Sequence, residues 1–273
     1  MILQLHADNY VRNIWMERRG ERMRIAYRSD IGRIRLVNED RGFAEFTDGG
    51  LAVAIVADGM GGHKAGEVAS QLAVDTFREA LQGATAALSL DERKLLIRQA
   101  ILQANEVVFD MASRNDQYHN MGTTVVAALL HEQNGVIGHI GDSRAYKWRE
   151  GVLSQLTEDH TLVNELVKSG QITLEEAAYH PRRNVMTRAL GTDAEVEVDV
   201  RDVTWLPGDM LLLCSDGLTN MVSEQEIIET IVSVELDLEG KADRLVQLAL
   251  QAGGDDNITV VLLHHADDTG LEE

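Results

Sequence analysis

Apolar and polar residues run in blocks along the chain, and the blocks carry two periods. Residues 51–58, LAVAIVAD, are a short continuous apolar run that ends in an aspartate, which predicts a strand buried on both faces. Residues 65–81, AGEVASQLAVDTFREAL, bring Val68, Leu72, Val74, Phe77 and Leu81 close to helical spacing. A second helix is predicted over residues 91–113, with Asp91 as its cap and Leu95, Ile101, Leu102, Val108 and Phe109 buried. Four strands then follow closely: TTVVAALL, GVIGHIGD, RAYKWRE and VLSQLT. The turn Arg149-Glu150-Gly151 suits a hairpin, with Gly151 supplying the awkward backbone angle. Residues 160–190 become helical and polar, MLLLCSDG is another buried strand, residues 223–251 read as two helices, and NITVVLLHH closes the chain as a strand. Near the start, Met23 opens MRIAYRSDIG, a strand running into a turn. Helices grouped between runs of strands predict an α+β layered fold instead of alternating βαβ units. No internal repeat interrupts this order.

Composition narrows the picture. The 273 residues are 44% hydrophobic and 26% charged, with two prolines and no linker-like stretch, so one domain is expected over residues 23–265. Residues 1–22 fit less well: VRNIWMERRGER is basic and lacks strand alternation, and is expected to be a dispensable extension or a mis-assigned start. Residues 266–273 form an acidic tail. The formal charge of −20 argues against general nucleic-acid binding, which needs clustered Lys and Arg. The longest apolar runs are too short to span a bilayer, and the first ten residues lack the basic start and apolar core of a signal peptide. One cysteine excludes a disulfide framework and a cysteine zinc site, and fits a reducing cytoplasm. An acidic excess arises from simple solubility or from carboxylates held for metal ions, and composition does not separate the two.

The chemically informative pattern is an aspartate repeated at strand ends: Asp58-Gly59, Asp142-Ser143, Asp216-Gly217 and, just before its strand, Asp256-Asn257. One such residue is ordinarily a turn former or helix cap. Four that converged would repel in low dielectric until they protonated or met a cation. Oxygen-only ligands suit Mg²⁺ or Mn²⁺, and two such ions about 4 Å apart activate a bridging water. The glycines of VADGMGGH, residues 56–63, raise the rival idea of a phosphate cradle, which the letters reject. A P-loop from Gly61 requires lysine where Glu67 stands, and a dinucleotide loop from Gly59 requires glycine where Lys64 stands. A cysteine-phosphatase loop from Cys214 requires arginine where Asn220 stands, and no phosphoaspartate motif of the D-x-D-x-T/V kind occurs.

RLVNED (35–40), VADGMGGHKAGEVAS (56–70), MGTTVVAAL (121–129), GHIGDSRAY (138–146), the stretch 156–191, LLLCSDGLT (211–219) and GGDDNITVV (253–261) stand in the order of bacterial type 2C protein phosphatases, the PPM family, which the chain resembles from about residue 23 to 264. The resemblance implies a four-layer α/β/β/α sandwich, two central antiparallel β-sheets flanked by helices, with a mobile flap over residues 162–190. It implies hydrolysis of phosphoserine and phosphothreonine in proteins by water activated by two Mn²⁺ or Mg²⁺ ions, without a covalent intermediate. By the same resemblance Asp58 bridges the two core ions, Gly59 offers a carbonyl to one, and Asp216 and Asp256 hold the other. Glu39 and Asp40 orient metal-bound water, Asp142 with Asp216 holds a third ion, and Arg35 binds the phosphate. Eukaryotic members carry a histidine as proton donor after the Asp-Gly pair. Met60 stands there, leaving His63 or a metal-bound water as the candidate. ITLEEAAYHP carries a capping box, Thr173 with Glu176, so a short helix beside the site is expected to select substrate or to lie on the surface. Thr123 and Thr124 are expected to support the metal loops by hydrogen bonds, Cys214 to be buried packing, and His264 and His265 to lie on the surface. Expected partners are phosphorylated proteins, including a bacterial Ser/Thr kinase, met by a monomer with no nucleic acid or membrane involved. The other readings are a pseudo-enzyme kept for partner binding, against which the intact carboxylates argue, and a regulatory phosphatase with one dedicated partner.

Overall fold

The continuous apolar strands are explained by what lies on either side of them. In the strand Ala52–Met60, Val53, Ile55 and Ala57 pack beneath one pair of helices, while Ala52, Ala54 and Val56 face a second sheet. In the strand Ile258–Ala266, Val261 and Leu263 face that same inter-sheet space and Val260 and Leu262 pack under another helix pair. A strand covered on both faces has no polar side to alternate with. Three stacked apolar cores therefore separate four layers: helices, sheet, sheet, helices.

A computed structural model describes residues 12–18, 21–62 and 64–266. Among them are twelve strands: β1 (Arg12–Arg18), β2 (Glu21–Asp30), β3 (Asp40–Phe46), β4 (Ala52–Met60), β5 (Gly122–Thr123), β6 (Val125–His131), β7 (Asn134–Ile140), β8 (Arg144–Arg149), β9 (Val152–Gln155), β10 (Asp199–Thr204), β11 (Met210–Cys214) and β12 (Ile258–Ala266). The α-helices are α1 (Ala65–Ala80), α2 (Leu90–Arg114), α3 (Leu162–Lys168), α4 (Leu174–Ala178), α5 (Asp216–Thr219), α6 (Glu224–Val232) and α7 (Leu238–Ala252). One sheet runs β1-β2-β12-β11-β8-β9; the other runs β10-β7-β6-β4-β3, with β5 also paired to β4. Every strand pairing is antiparallel. The α+β sandwich expected from the sequence is the fold observed.

Details differ from expectation for physical reasons. Helix α2 is capped by Ser89, not Asp91: Ser89 is extended, accepts from Glu92 N–H, and completes a capping box. Leu95 and Leu102 are exposed and Phe109 is half-buried, because the buried stripe of α2 is Ile97, Ala100, Ile101, Ala104 and Val108. Its small alanines let the helix lie close to the sheet. His265 is not on the surface. Strand alternation turns it inward with Val261 and Leu263, where it stacks on Trp205 at 5.6 Å. His264, on the other face, is half-buried. Residues 12–18, assigned by pattern to an extension, pair along β2 as an edge strand. The hairpin turn holds as expected, with φ of 49° at Glu150 and 86° at Gly151.

Candidate metal centre

Five carboxylates meet at one end of the sandwich because strands from both sheets end or begin there. Asp40 opens β3 and stands directly opposite Asp58 near the end of β4. Like charges facing each other across an antiparallel pair destabilise a sheet. Asp142 follows β7, Asp216 follows β11, and Asp256 precedes β12. Backbone hydrogen bonds lock the loops. Asp58 N–H donates to Thr124 Oγ1 at 3.0 Å, and Asp58 O accepts from Thr123 Oγ1 at 2.8 Å and Thr124 N–H at 2.9 Å. Thr124 Oγ1 also lies 2.7 Å from Ser143 Oγ, beside Asp142. The two threonines thus do support the loops. Gly59 admits no side chain, since a Cβ would lie 2.1 Å from Gly66 O and 2.6 Å from Glu39 O.

Two residues at the centre were not singled out from the sequence for this role. Ser215, which precedes Asp216, donates to Asp40 Oδ2 at 2.7 Å. Asn257 accepts from Glu39 N–H at 2.8 Å and donates to Ile31 O at 2.8 Å and Val37 O at 3.1 Å, drawing the 31–39 loop against β12. Their sequence signal was adjacency to the strand-end aspartates.

The electrostatics are those of crowded, desolvated carboxylates. Burial pushes Asp40 up to about 7, with the charges of Asp216 and Asp256 adding to it. Burial likewise lifts Asp142 to about 7, with Asp216 and Asp159 contributing. Asp58 lies well above the ordinary range through burial and then through Asp40, Asp216, Asp142 and Asp256. Burial raises Asp216 and Glu39 as well. Glu39 Oε1, Asp40 Oδ1 and Asp216 Oδ1 are buried without a hydrogen-bond partner. Acceptor-only oxygens without donors, in a cluster that resists ionisation, fit a divalent cation and its bound water.

Arg35 reaches into this cluster and pairs with Asp256 Oδ2 at 2.6 Å, so the predicted phosphate-binding residue is at the centre. A cleft of about 970 Å³ joins Arg35, Asp142, Asp216 and Asp256 to Leu174 and Arg183 of the flap segment. Helix α4 in that segment carries the expected capping box of Thr173 and Glu176. Met60 pairs with Gly122 across β4 and β5 and carries no exchangeable proton. His63 lies outside the described residues. Cys214 is buried, and burial raises its thiol to about 12.

A second cluster of ligand-type atoms lies nearby: atoms of His139, His160 and Asp199 are all within 4.8 Å of one another. Hydrogen bonds already occupy both ring nitrogens of His160 and one of His139. Gly141 N–H donates to His160 Nδ1 at 3.1 Å, so the neutral ring carries its proton on Nε2, which faces Asp199 Oδ2 at 3.2 Å. His139 Nε2 donates to Glu158 O at 2.8 Å. Burial lowers both imidazoles, His139 to about 4.

Comparison with known proteins agrees with this geometry. The sequence profile of protein phosphatase 2C matches residues 33–251. Serine/threonine phosphatase stp of Listeria monocytogenes is 45% identical over 241 residues, covering 88% of this chain and 95% of that protein. The crystal structure of the Mycobacterium tuberculosis serine/threonine phosphatase PstP/Ppp superposes with a TM-score of 0.81 at 39% identity, covering 89% of this chain and 99% of that one. The catalytic domain of PstP in complex with two manganese ions superposes with a TM-score of 0.78 at 38% identity, covering 90% and 99%. With its carboxylates gathered at the end of a two-sheet sandwich and its sequence matched along most of its length, the chain belongs to the protein phosphatase 2C (PPM) family and is a protein serine/threonine phosphatase.

Proposed function

We propose that Asp58, Asp216 and Asp256, with the Gly59 carbonyl, hold two Mn²⁺ or Mg²⁺ ions, and that Asp142 with Asp216 holds a third. The observation that carries this reading is the set of buried, unpartnered carboxyl oxygens on Glu39, Asp40 and Asp216, amid groups that raise one another's pKa. When bound, the ions supply an activated water and neutralise charge on the phosphate. Asp58 has two acceptor oxygens and can serve two ions at once. Glu39 and Asp40 present acceptors that orient water within the site. Arg35 exchanges Asp256 for the substrate, its guanidinium fork binding two phosphate oxygens in a way lysine does not. His63 is the candidate donor of a proton to the leaving serine or threonine oxygen, and Met60 cannot take that role.

In the cell the enzyme opposes a Ser/Thr kinase, acting as a cytoplasmic monomer. The buried free thiol and the lack of a helix long and apolar enough to cross a membrane among the described residues support that placement. Residues 23–265 are the working domain, as the profile match over 33–251 supports. The test is hydrolysis of a phosphothreonine peptide with added Mn²⁺, with added Mg²⁺, and after exhaustive chelation. Turnover that survives chelation refutes the metal reading. In the pH profile, His63→Ala removes the basic limb if His63 is the donor, and an unchanged limb excludes it.

A further inference from the structure

The loop that carries Asp142 is gripped from its far side by a residue to which no metal role falls. His160, in the segment between β9 and α3, is buried. Its backbone N–H donates to Gly141 O at 2.9 Å, and its Nδ1 accepts from Gly141 N–H at 3.1 Å. Both polar groups of the residue preceding Asp142 therefore end on one histidine. The opposite ring nitrogen faces Asp199 Oδ2 at 3.2 Å, and Asp199 Oδ1 accepts from Arg188 Nη1 at 3.2 Å. The carbonyl of His160 accepts from Thr187 N–H at 2.8 Å. His160 thus joins the two ends of the flap segment, near residues 160 and 187, and His139 stacks on its ring at 4.4 Å.

Gly141 has no room for a side chain. Its φ is +107°, and a Cβ there would lie 2.6 Å from Thr124 Cβ. Thr124 in turn holds the backbone of Asp58. A continuous path of contacts leads from Asp58 through Thr124 and Gly141 to His160 and on to the base of the flap. The two ring nitrogens serve different ends of it: Nδ1 the Asp142 loop, Nε2 the flap base.

We infer that His160 is a positioning residue for the phosphatase reaction, setting Asp142 through Nδ1 and closing the base of the flap through Nε2. The inference rests on the proposed reading of Asp142 as a metal ligand. Groups that orient a ligand from behind govern metal affinity, and their loss costs about 10- to 100-fold.

Two near-isosteric variants separate the ring nitrogens. In His160→Asn the amide oxygen lies near the Nδ1 position and still accepts from Gly141, but nothing reaches Asp199. In His160→Gln the amide N–H₂ reaches Asp199 and the acceptor for Gly141 is lost. Mn²⁺ binding is measured by titration calorimetry, with amide hydrogen exchange followed across residues 162–190, on wild type, both variants and Asp142→Asn. The expected result is that His160→Gln weakens the Mn²⁺ step that Asp142→Asn removes by about tenfold, with flap exchange unchanged. His160→Asn should retain that step and speed flap exchange. Two results overturn the proposal: both variants binding Mn²⁺ like wild type, or both losing affinity equally with an equal fall in Tm, as a purely structural residue would give. If Asp142→Asn leaves every Mn²⁺ step intact, the ligand reading of Asp142 fails, and the role of His160 with it. If Asp142→Asn removes a step that His160→Gln leaves untouched, the role of His160 alone fails.

Discussion

Two clusters of ionisable side chains flank the β7–β8 loop, and they end up chemically opposite. On one side Asp40, Asp58, Asp142, Asp216 and Asp256 crowd together, with Asp40 Oδ1 and Asp216 Oδ1 buried and unpartnered. On the other, His139, His160 and Asp199 lie closer to a metal-site spacing, yet hydrogen bonds to Gly141, Glu158 and one another fix the ring protons. Proximity of ligand-type atoms does not make a metal site. Lone pairs without donors favour one: Asp40 Oδ1 and Asp216 Oδ1 are buried without partners, whereas both ring nitrogens of His160 are already taken by Gly141 and Asp199. The titrations diverge as well: burial raises the carboxyls of Asp40 and Asp142 and lowers the imidazoles of His139 and His160, so the former favour protons and the latter shed them.

The contrast breaks most visibly at Asp58. Asp58→Asn should cut kcat by roughly a thousandfold, equivalent to a loss of about 4 kcal/mol of transition-state stabilisation. Steady-state kinetics on a phosphothreonine peptide checks this, and near-normal turnover removes the bridging role. A smaller effect is expected at Arg35, whose proposed phosphate contact would be common to ground and transition states. Arg35→Ala should raise KM by about tenfold with kcat little changed, and a fall in kcat alone contradicts it. Thr124→Val leaves the buried Asp58 N–H without an acceptor and should cost about 1–3 kcal/mol of stability, read by chemical denaturation.

A pH series sharpens the difference further. Asp40 and Asp142, with folded pKa values of about 7, hold protons that the unfolded chain has released above about pH 4. Their contribution to the stability of the metal-free fold is therefore lost as pH rises from about 4 toward 7. On the proposed reading Mn²⁺ would take the place of those protons, so its rise in Tm should be larger at pH 7.5 than at pH 5.5. For His139 the sign reverses. Its folded pKa, about 4, lies below the unfolded value, so its contribution is present above about pH 6.5 and is lost as pH falls. An equal Mn²⁺ effect at both pH values would contradict the protonated-carboxylate account.

Much of this was legible in the sequence, and the parts that were not share a cause. β4 and β12 announced themselves as apolar runs, and the four strand-end aspartates marked the centre before any fold was known. β3 and β10 were less visible: DRGFAEF carries charges at a sheet edge, and DVRDVT lies on an edge that solvent wets. The cap of α2 was misplaced by two residues because Ser89 and Asp91 are both good caps and only the backbone geometry decides between them. Asp40 opposite Asp58, Asn257 tying the 31–39 loop to β12, and His160 gripping Gly141 depend on long-range register, which local pattern does not carry. A histidine beside an acidic tail looks solvated in sequence, and only strand alternation turns His265 against Trp205.

The central claim is that the aspartate cluster, not the histidine cluster, holds the ions. Anomalous scattering from crystals grown with Mn²⁺ tests it most directly. The account predicts two strong peaks ringed by Asp58, Gly59, Asp216 and Asp256, a weaker one beside Asp142, and none between His139, His160 and Asp199. A strong peak at the histidines with none at the aspartates would contradict it.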